Sequence, residues 1–240
     1  MSQISREKMT VLRKESGFTL VEIAIVLVII GLLLGGILKG QEMITQAKIK
    51  NIINDFNGIS AAVYSYQDRY RALPGDDVGG ARWLAGLAPA GDGNGILKSS
   101  EATATKQYKK SLTATPTNAD EVNVFWWHLR LAGFVPGPTA VADAGVVGNP
   151  PTNAVNGLVG VQTGAGATTM GFSSNIICTT NLPDKIAIAV DTQMDDARAE
   201  TGQLRAIKQT SPNPDLKAVV AADDAYAEDG QSQYTICKSL

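Results

Sequence analysis

The sequence predicts an α+β protein: a long N-terminal helix packed on a loop-rich globular head with a small antiparallel sheet. Three observations lead to this prediction. The chain has an apolar run from Phe18 to Leu38, and a helical pattern of apolar residues continues from there to about Arg71. Beyond Pro74 the sequence turns to short apolar stretches among Gly, Ala, Thr, Asn and Pro, as expected for a head with many loops. We therefore predict four segments, at residues 1–17, 18–39, 40–73 and 74–240.

The first helical segment, residues 18–39, has the length and composition of a membrane span. The run FTLVEIAIVLVIIGLLLGGIL carries one charge, Glu22, and is close to the roughly 20 residues that cross a hydrocarbon core. Basic residues are in excess before the run, and the positive-inside rule then favours a cytoplasmic N-terminus. The flank after Leu38 has no small-residue site of the kind that ends a secretory signal peptide.

The second helical segment, residues 40–73, is amphipathic. Its apolar residues recur at steps of three and four, which predicts one face against the head, and the helix should end at Leu73-Pro74 because proline disfavours the helix before it. Glycines spaced four apart either let helices approach closely in lipid or reflect the abundance of glycine in membrane helices. The apolar positions are Ile49, Ile52, Ile53, Phe56, Ile59, Val63, Tyr66 and Tyr70, and the glycines are Gly31, Gly35, Gly36 and Gly40.

The head offers few regular patterns. Val122 to Gly133 predicts a short amphipathic helix or a strand that packs aromatic side chains, and the alternation in Lys185 to Val190 predicts a strand. Weaker strand candidates are Gly157 to Val161, Met170 to Ile177 and Gln233 to Cys237. These elements would form the antiparallel sheet.

The stretch KESGFTLVEIAIVLVIIG resembles the prepilin cleavage and methylation signature of type IV pilins and type II secretion pseudopilins. The resemblance implies that residues 1–17 are a leader, removed by a prepilin peptidase between Gly17 and Phe18. It also implies that the new amino group of Phe18 is methylated and that the apolar run stays in the mature protein. Glu22 would then pair with the amino group of Phe18 on a neighbouring subunit during assembly.

The residue types at these positions have physical reasons of their own. Gly17 lacks a Cβ and lets an extended backbone approach a protease closely. Glu22 is an ionisable group inside a bilayer segment, which costs a few kcal/mol and marks a functional candidate. The alternative is that Glu22 lies near the membrane surface and is hydrated.

The resemblance implies a structural subunit of a type IV pilus or pilus-like filament, and no enzyme. Its partners would be the prepilin peptidase, other pilin or pseudopilin subunits, an inner-membrane assembly platform and membrane lipid. The chain would start in the bacterial inner membrane as a single-pass protein with a periplasmic head. Alternatives are a secretion pseudopilin, a filament-borne adhesin or DNA-uptake minor pilin, or an anchored periplasmic enzyme.

Nucleic acid is not predicted as a partner, because the net charge of −2 provides no basic field for phosphates. A DNA-uptake module would need a basic aromatic stripe. The one local candidate combines Tyr108 with Lys106, Lys109 and Lys110, and it also fits a solvated loop.

Two cysteines, Cys178 and Cys237, predict a disulfide if the head is exported, and many pilins carry such a bridge near the C-terminus. Two buried free thiols are the alternative. Asp92 and Asn94, with Asp76, Asp77 and Glu101 nearby, are weak calcium candidates, and a turn rich in Asp and Gly explains them as well. No other cofactor is predicted.

Two further groups of side chains are candidate sites. Asp191, Asp195, Asp196 and Glu200 follow the predicted strand, and we expect a solvated loop or short surface helix there rather than acid–base chemistry. His128 is the only histidine, and we expect it to be a packed aromatic.

Overall fold

A computed structural model describes residues 17–83, 88–99, 103–109, 120–140 and 148–240. The chain divides into two compact units, Met1–Ile44 and Thr45–Leu240, which we call the N-terminal unit and the C-terminal unit. The predicted Glu101 and Lys110 lie outside the described residues.

The first helix, α1, runs from Leu20–Tyr70 over 51 residues. Both predicted helical segments therefore belong to one continuous element. It ends where the sequence indicated, since Arg71 adopts a left-handed conformation with φ of 57° and Pro74 follows.

The remaining elements confirm the α+β class. The helices are α2 (Glu121–Leu131), α3 (Asp184–Met194) and α4 (Ala221–Asp224), with 3-10 helices at Val78–Arg82, Ala104–Lys109 and Ala167–Thr169. The strands are β1 (Val159–Thr163), β2 (Asn175–Pro183), β3 (Leu204–Lys208) and β4 (Gln233–Ser239). They form one sheet in the order β1-β2-β4-β3, and every pair is antiparallel.

Comparison with the predicted elements gives a mixed result. The Gln233 strand is confirmed as the start of β4, the segment from Val122 is a helix, and β1 begins two residues later than predicted. The prediction of a strand at Met170 to Ile177 was wrong in its first half, where Met170 has φ of 58°, and β3 was not predicted at all.

The prediction of a strand at Lys185 to Val190 was wrong, because these residues belong to α3. The alternation of Ile and Ala suggested a period of two. The buried positions of α3 are instead Asp184, Ile186, Ala187, Val190 and Asp191, which is the spacing of one helix face.

The main core lies between the sheet, the part of α1 that belongs to the C-terminal unit, and α2 and α3. Ile52, Phe56 and Val63 of α1 pack with Phe125 and Trp126 of α2 against one face of the sheet. The opposite face carries a smaller cluster under the loops, made of Tyr108, Met170, Phe172, Ile176, Cys178, Ile207, Leu216 and Cys237.

Cys178 and Cys237 form a disulfide, the pairing expected from the sequence, with their Cα atoms 4.0 Å apart. The two residues face each other directly on β2 and β4. Strand β4, the last in the chain, thus lies between β2 and β3 and is covalently tied to β2. A bridge that closes a loop of this size contributes about 2–4 kcal/mol to stability.

Candidate functional site

The described part of the N-terminal unit is an apolar helix with its side chains exposed. None of residues 17–44 is buried, and Phe18 is 83% exposed. By length and composition α1 can cross a membrane. Core helices of soluble proteins meet the same criterion, but they are mostly buried, whereas none of the apolar window of α1 is. This surface needs lipid or another chain to cover it.

Gly17, Phe18 and Thr19 precede α1, which begins at Leu20. Thr19 and Glu22 close its first turn by reciprocal hydrogen bonds. The Thr19 backbone N–H donates to Glu22 Oε2 at 2.8 Å, the Thr19 hydroxyl donates to the same oxygen at 2.8 Å, and the Glu22 N–H donates to Thr19 Oγ1 at 3.3 Å. This is a capping box, which satisfies N–H groups that a helix start leaves without partners.

The capping box gives Glu22 a role that reasoning from burial and charge missed. The signal was present in the sequence, since Thr-x-x-Glu before an apolar run is a helix-start pattern. The hydrogen bonds do not neutralise the carboxylate, and no cation among the described residues lies within ion-pair distance of Glu22. The first turn of α1 therefore presents an exposed negative charge beside the Gly17–Phe18 bond.

A second group of carboxylates organises the loop at residues 91–98. Asp76 accepts hydrogen bonds from the N–H groups of Gly93 at 2.6 Å, Asn94 at 3.1 Å and Gly95 at 2.6 Å. Glu121 accepts from Asp92 N at 3.2 Å and from Lys98 N at 3.3 Å. Burial raises the pKa of Glu121. Five backbone donors thus hold the loop around two carboxylates.

The calcium site at Asp92 and Asn94 stays a prediction. The carboxylates that lie together there differ from the predicted pair of residues. Oxygens of Asp76, Asp92 and Glu121 lie within 4.8 Å of one another and could share a cation. Asn94 turns back on its own loop instead, with Oδ1 accepting from Ile96 N at 2.8 Å. Glu121 was missed because it lies far from Asp92 in the sequence.

Asp77 belongs to a different cluster, which ties α1 to the 3-10 helix at Val78–Arg82. Its carboxylate accepts from the Tyr66 hydroxyl at 2.7 Å, from Gly79 N at 2.7 Å and from Arg82 Nη1 at 2.5 Å. Burial alone would raise the pKa of Asp77, but the hydrogen bonds from Arg82 and Tyr66 outweigh it and hold the pKa below its usual value.

His128 is fully buried beside this cluster, as expected for a packed aromatic, and its ring stacks on Tyr66 with centroids 6.1 Å apart. Nδ1 accepts from Gly75 N at 3.1 Å, so the proton of the neutral ring lies on Nε2, which is 2.9 Å from the Pro89 carbonyl oxygen. Burial lowers the pKa of His128 to about 4. The histidine is a structural bridge between the loops and α2.

Two further carboxylates, Asp195 and Asp224, cover the edge of the sheet at the two ends of β3. Asp195 Oδ2 accepts from Leu204 N at 2.7 Å, and Asp224 Oδ1 accepts from Lys208 N at 2.9 Å. Between them the Ala206 N–H donates to the Ala199 carbonyl at 2.8 Å. These contacts occupy outward backbone donors of β3, which protects an edge strand from pairing with another chain.

The expectation of a solvated loop holds for Asp196 and Glu200, which are exposed, but it was wrong for Asp191. Asp191 is fully buried on α3 and accepts from the Tyr226 hydroxyl at 2.7 Å. Burial raises the pKa of Asp191 to about 6.

The candidate nucleic-acid stripe does not present a stacking surface. Tyr108 is 1% exposed, and its hydroxyl donates to the Pro214 carbonyl at 2.5 Å. Lys106 and Lys109 both pair with Asp215.

Comparison with known proteins gives one positive finding. Residues 12–38 match the prokaryotic N-terminal methylation motif, the signature of type IV pilins and pseudopilins. No curated protein and no solved structure matches the chain. The matched residues include Gly17, Phe18, Glu22 and the exposed apolar part of α1, so the motif and the geometry identify the same segment. The motif indicates a membrane-anchored, pilin-like structural subunit rather than an enzyme.

Proposed function

We propose that this protein is the precursor of a type IV pilus subunit, cleaved between Gly17 and Phe18 and assembled through α1 into a filament. The observation that carries the proposal is the methylation motif at residues 12–38, placed on a helix whose apolar surface nothing in the described chain covers. Residues 1–17 are then the leader, and 18–39 hold the precursor in the inner membrane with its head in the periplasm.

Processing creates the cation that Glu22 lacks. Cleavage after Gly17 frees the amino group of Phe18, which the prepilin peptidase methylates without removing its charge. In lipid, an isolated carboxylate costs a few kcal/mol, and an ion pair between Glu22 of one copy and the Phe18 amino group of another offsets that cost. The pair also fixes how far neighbouring helices are shifted along each other.

A secretion pseudopilin is the second candidate, because the same motif marks both classes. It uses the same cleavage, membrane segment and Glu22 contact, and it differs in staying beneath the outer membrane. The buried Tyr108 and the paired lysines argue against a DNA-uptake role for the stripe around Lys106.

Processing is tested by intact mass and N-terminal fragmentation of the full chain produced with a prepilin peptidase. We expect an N-methylated Phe18 in the wild type and in the neighbouring control Ser16→Ala, and an uncleaved chain in Gly17→Val, whose side chain blocks the close approach of the backbone. A retained Met1, or cleavage beyond Leu38 in the wild type, would contradict the proposal.

Assembly is tested in the same cells with Glu22→Gln. Glutamine can still close the capping box with Thr19, so this variant removes the charge and keeps the helix start. We expect normal processing and a loss of sheared filaments of tenfold or more. Glu42→Gln is the control, because Glu42 is an exposed carboxylate on the same helix that pairs with Lys39 of its own chain. Equal filament yields in the two variants would exclude the ion pair.

A further inference from the structure

A groove runs beside α1 within the C-terminal unit. Asp55, Gly58 and Ile59 of α1 form one side, and residues 134–136 and 151–152 form the other. The cavity measures about 290 Å³ and its walls are mainly apolar. A space of this size accommodates one or two side chains.

Gly58 lines the groove without a side chain of its own. Glycine inside a helix costs about 1 kcal/mol relative to alanine. A Cβ built at Gly58 meets no atom within 4 Å, so no contact in the described structure requires a glycine there. The missing side chain leaves space that lies outside the fold and that another molecule can fill.

Asp55 is the charged residue among those that line the groove. It is half-buried, and burial raises its pKa. Within the described parts of the chain, no group donates a hydrogen bond to its carboxylate or forms an ion pair with it. A partly desolvated carboxylate in an apolar groove favours a cation on an apolar stem, which is the chemistry of a lysine side chain.

Lys50 of another copy has that chemistry and the right position. Lys50 is exposed and has no carboxylate partner among the residues that the structure describes. It precedes Asp55 by five residues, which places the two side chains about 140° apart around one helix and prevents pairing within a chain. Between two parallel copies of α1, a shift of five residues, roughly 7.5 Å, brings Lys50 of one level with Asp55 of the other.

A shift of similar size in the same direction suits the contact proposed for assembly. The amino group of Phe18 precedes Glu22 by four residues, a shift of roughly 6 Å. In both pairs the cation comes first along the chain, so neighbouring helices displaced in the same direction satisfy both. We propose that the groove beside Asp55 receives the Lys50 side chain of a second copy of this chain, as a second ion pair that fixes the filament register. This inference rests on the proposed function.

Cysteine cross-linking tests the contact in assembled filaments. Full-length Lys50→Cys and Asp55→Cys chains with different tags are produced together, and sheared filaments are treated with a short bismaleimide, because a lysine stem reaches beyond the roughly 7 Å between Cα atoms that a disulfide can bridge. The native cysteines are already paired with each other. We expect a cross-linked heterodimer, at least fivefold more than when Asn57→Cys replaces Asp55→Cys, because Asn57 lies on the opposite side of α1. Filaments with no excess over this control would overturn the groove contact and leave the proposed function intact.

Charge exchange covers the case in which the cysteine chains fail to assemble. Lys50→Asp and Asp55→Lys should each lower filament yield at least fivefold, and the double variant should restore it, since the pair is re-formed with reversed sign. A double variant as poor as the product of the singles would overturn the pairing. If unmodified chains are processed but never form filaments, the proposed function itself fails.

Discussion

The two parts of α1 have the same secondary structure and opposite surroundings. In residues 20–44 no side chain is buried, whereas from Ile49 onward one apolar face of α1 belongs to the main core of the C-terminal unit. Helix propensity does not distinguish them. The difference lies in the pattern, since the first part is apolar on every face and the second on one face. One part of the helix thus packs on its own domain, and the other part exposes a surface that lipid or another chain can cover.

The comparison predicts that truncation to alanine destabilises the C-terminal unit in one part of α1 and has no effect on it in the other. Phe56→Ala removes a fully buried ring from the core and should cost about 3–5 kcal/mol of unfolding free energy. Leu27→Ala removes a side chain that is 64% exposed and should leave the unfolding of the C-terminal unit unchanged. Denaturant titration of the full chain in detergent, followed by tryptophan fluorescence, measures both. Equal losses would mean that the exposed part of α1 also packs on its own chain.

The two units also differ in buried ionisable side chains, since His128 and Asp191 are buried in the C-terminal unit and no described residue is buried in the N-terminal unit. His128 has a folded-state pKa of about 4 against 6.5 for the free group, so the unfolded state binds more protons between these values and stability falls on acidification. Asp191 has a folded-state pKa of about 6 against 3.8, so the folded state binds more protons there and stability rises on acidification. Each effect amounts to about 2 kcal/mol between pH 7.5 and 4.5.

Because the two effects oppose each other, single variants should reveal them. Asp191→Asn removes the stabilisation that Asp191 gives at low pH, so on acidification this variant should lose about 2 kcal/mol more unfolding free energy than the wild type. His128→Gln should lose less than the wild type, by a similar amount. Denaturant titrations at the two pH values give these differences. The same sign of change in both variants would show that one of the assigned pKa shifts is wrong. Helicity of the apolar part of α1 should not change in either.

Sequence patterns predicted the elements that repeat one periodicity over many residues. Both parts of α1 and its end near Pro74 follow from such patterns, whereas the shorter stretch at Val122 fitted a helix or a strand and proved to be a helix. The error at Lys185 arose because six residues fit a period of two or a helix face equally well, and only packing against the sheet decides.

Contacts between distant segments could not be predicted in the same way. The partners of Asp76 and Asp77, the burial of Asp191 and the open space at Gly58 depend on which loops the fold brings together. The capping box is different, since Thr19 and Glu22 are local and their spacing was readable.

The smallest expected effect concerns that capping box. Thr19→Ala removes the hydroxyl that accepts from the Glu22 N–H and should destabilise the start of α1 by about 1 kcal/mol, and Thr19→Ser should retain the cap. Hydrogen exchange of the full chain in micelles should show faster exchange at residues 20–23 in the alanine variant alone, with no change from Ile49 onward. Protection lost along the whole helix would mean that the two parts of α1 unfold as one unit. A local effect would show that each part is stabilised by its own partner.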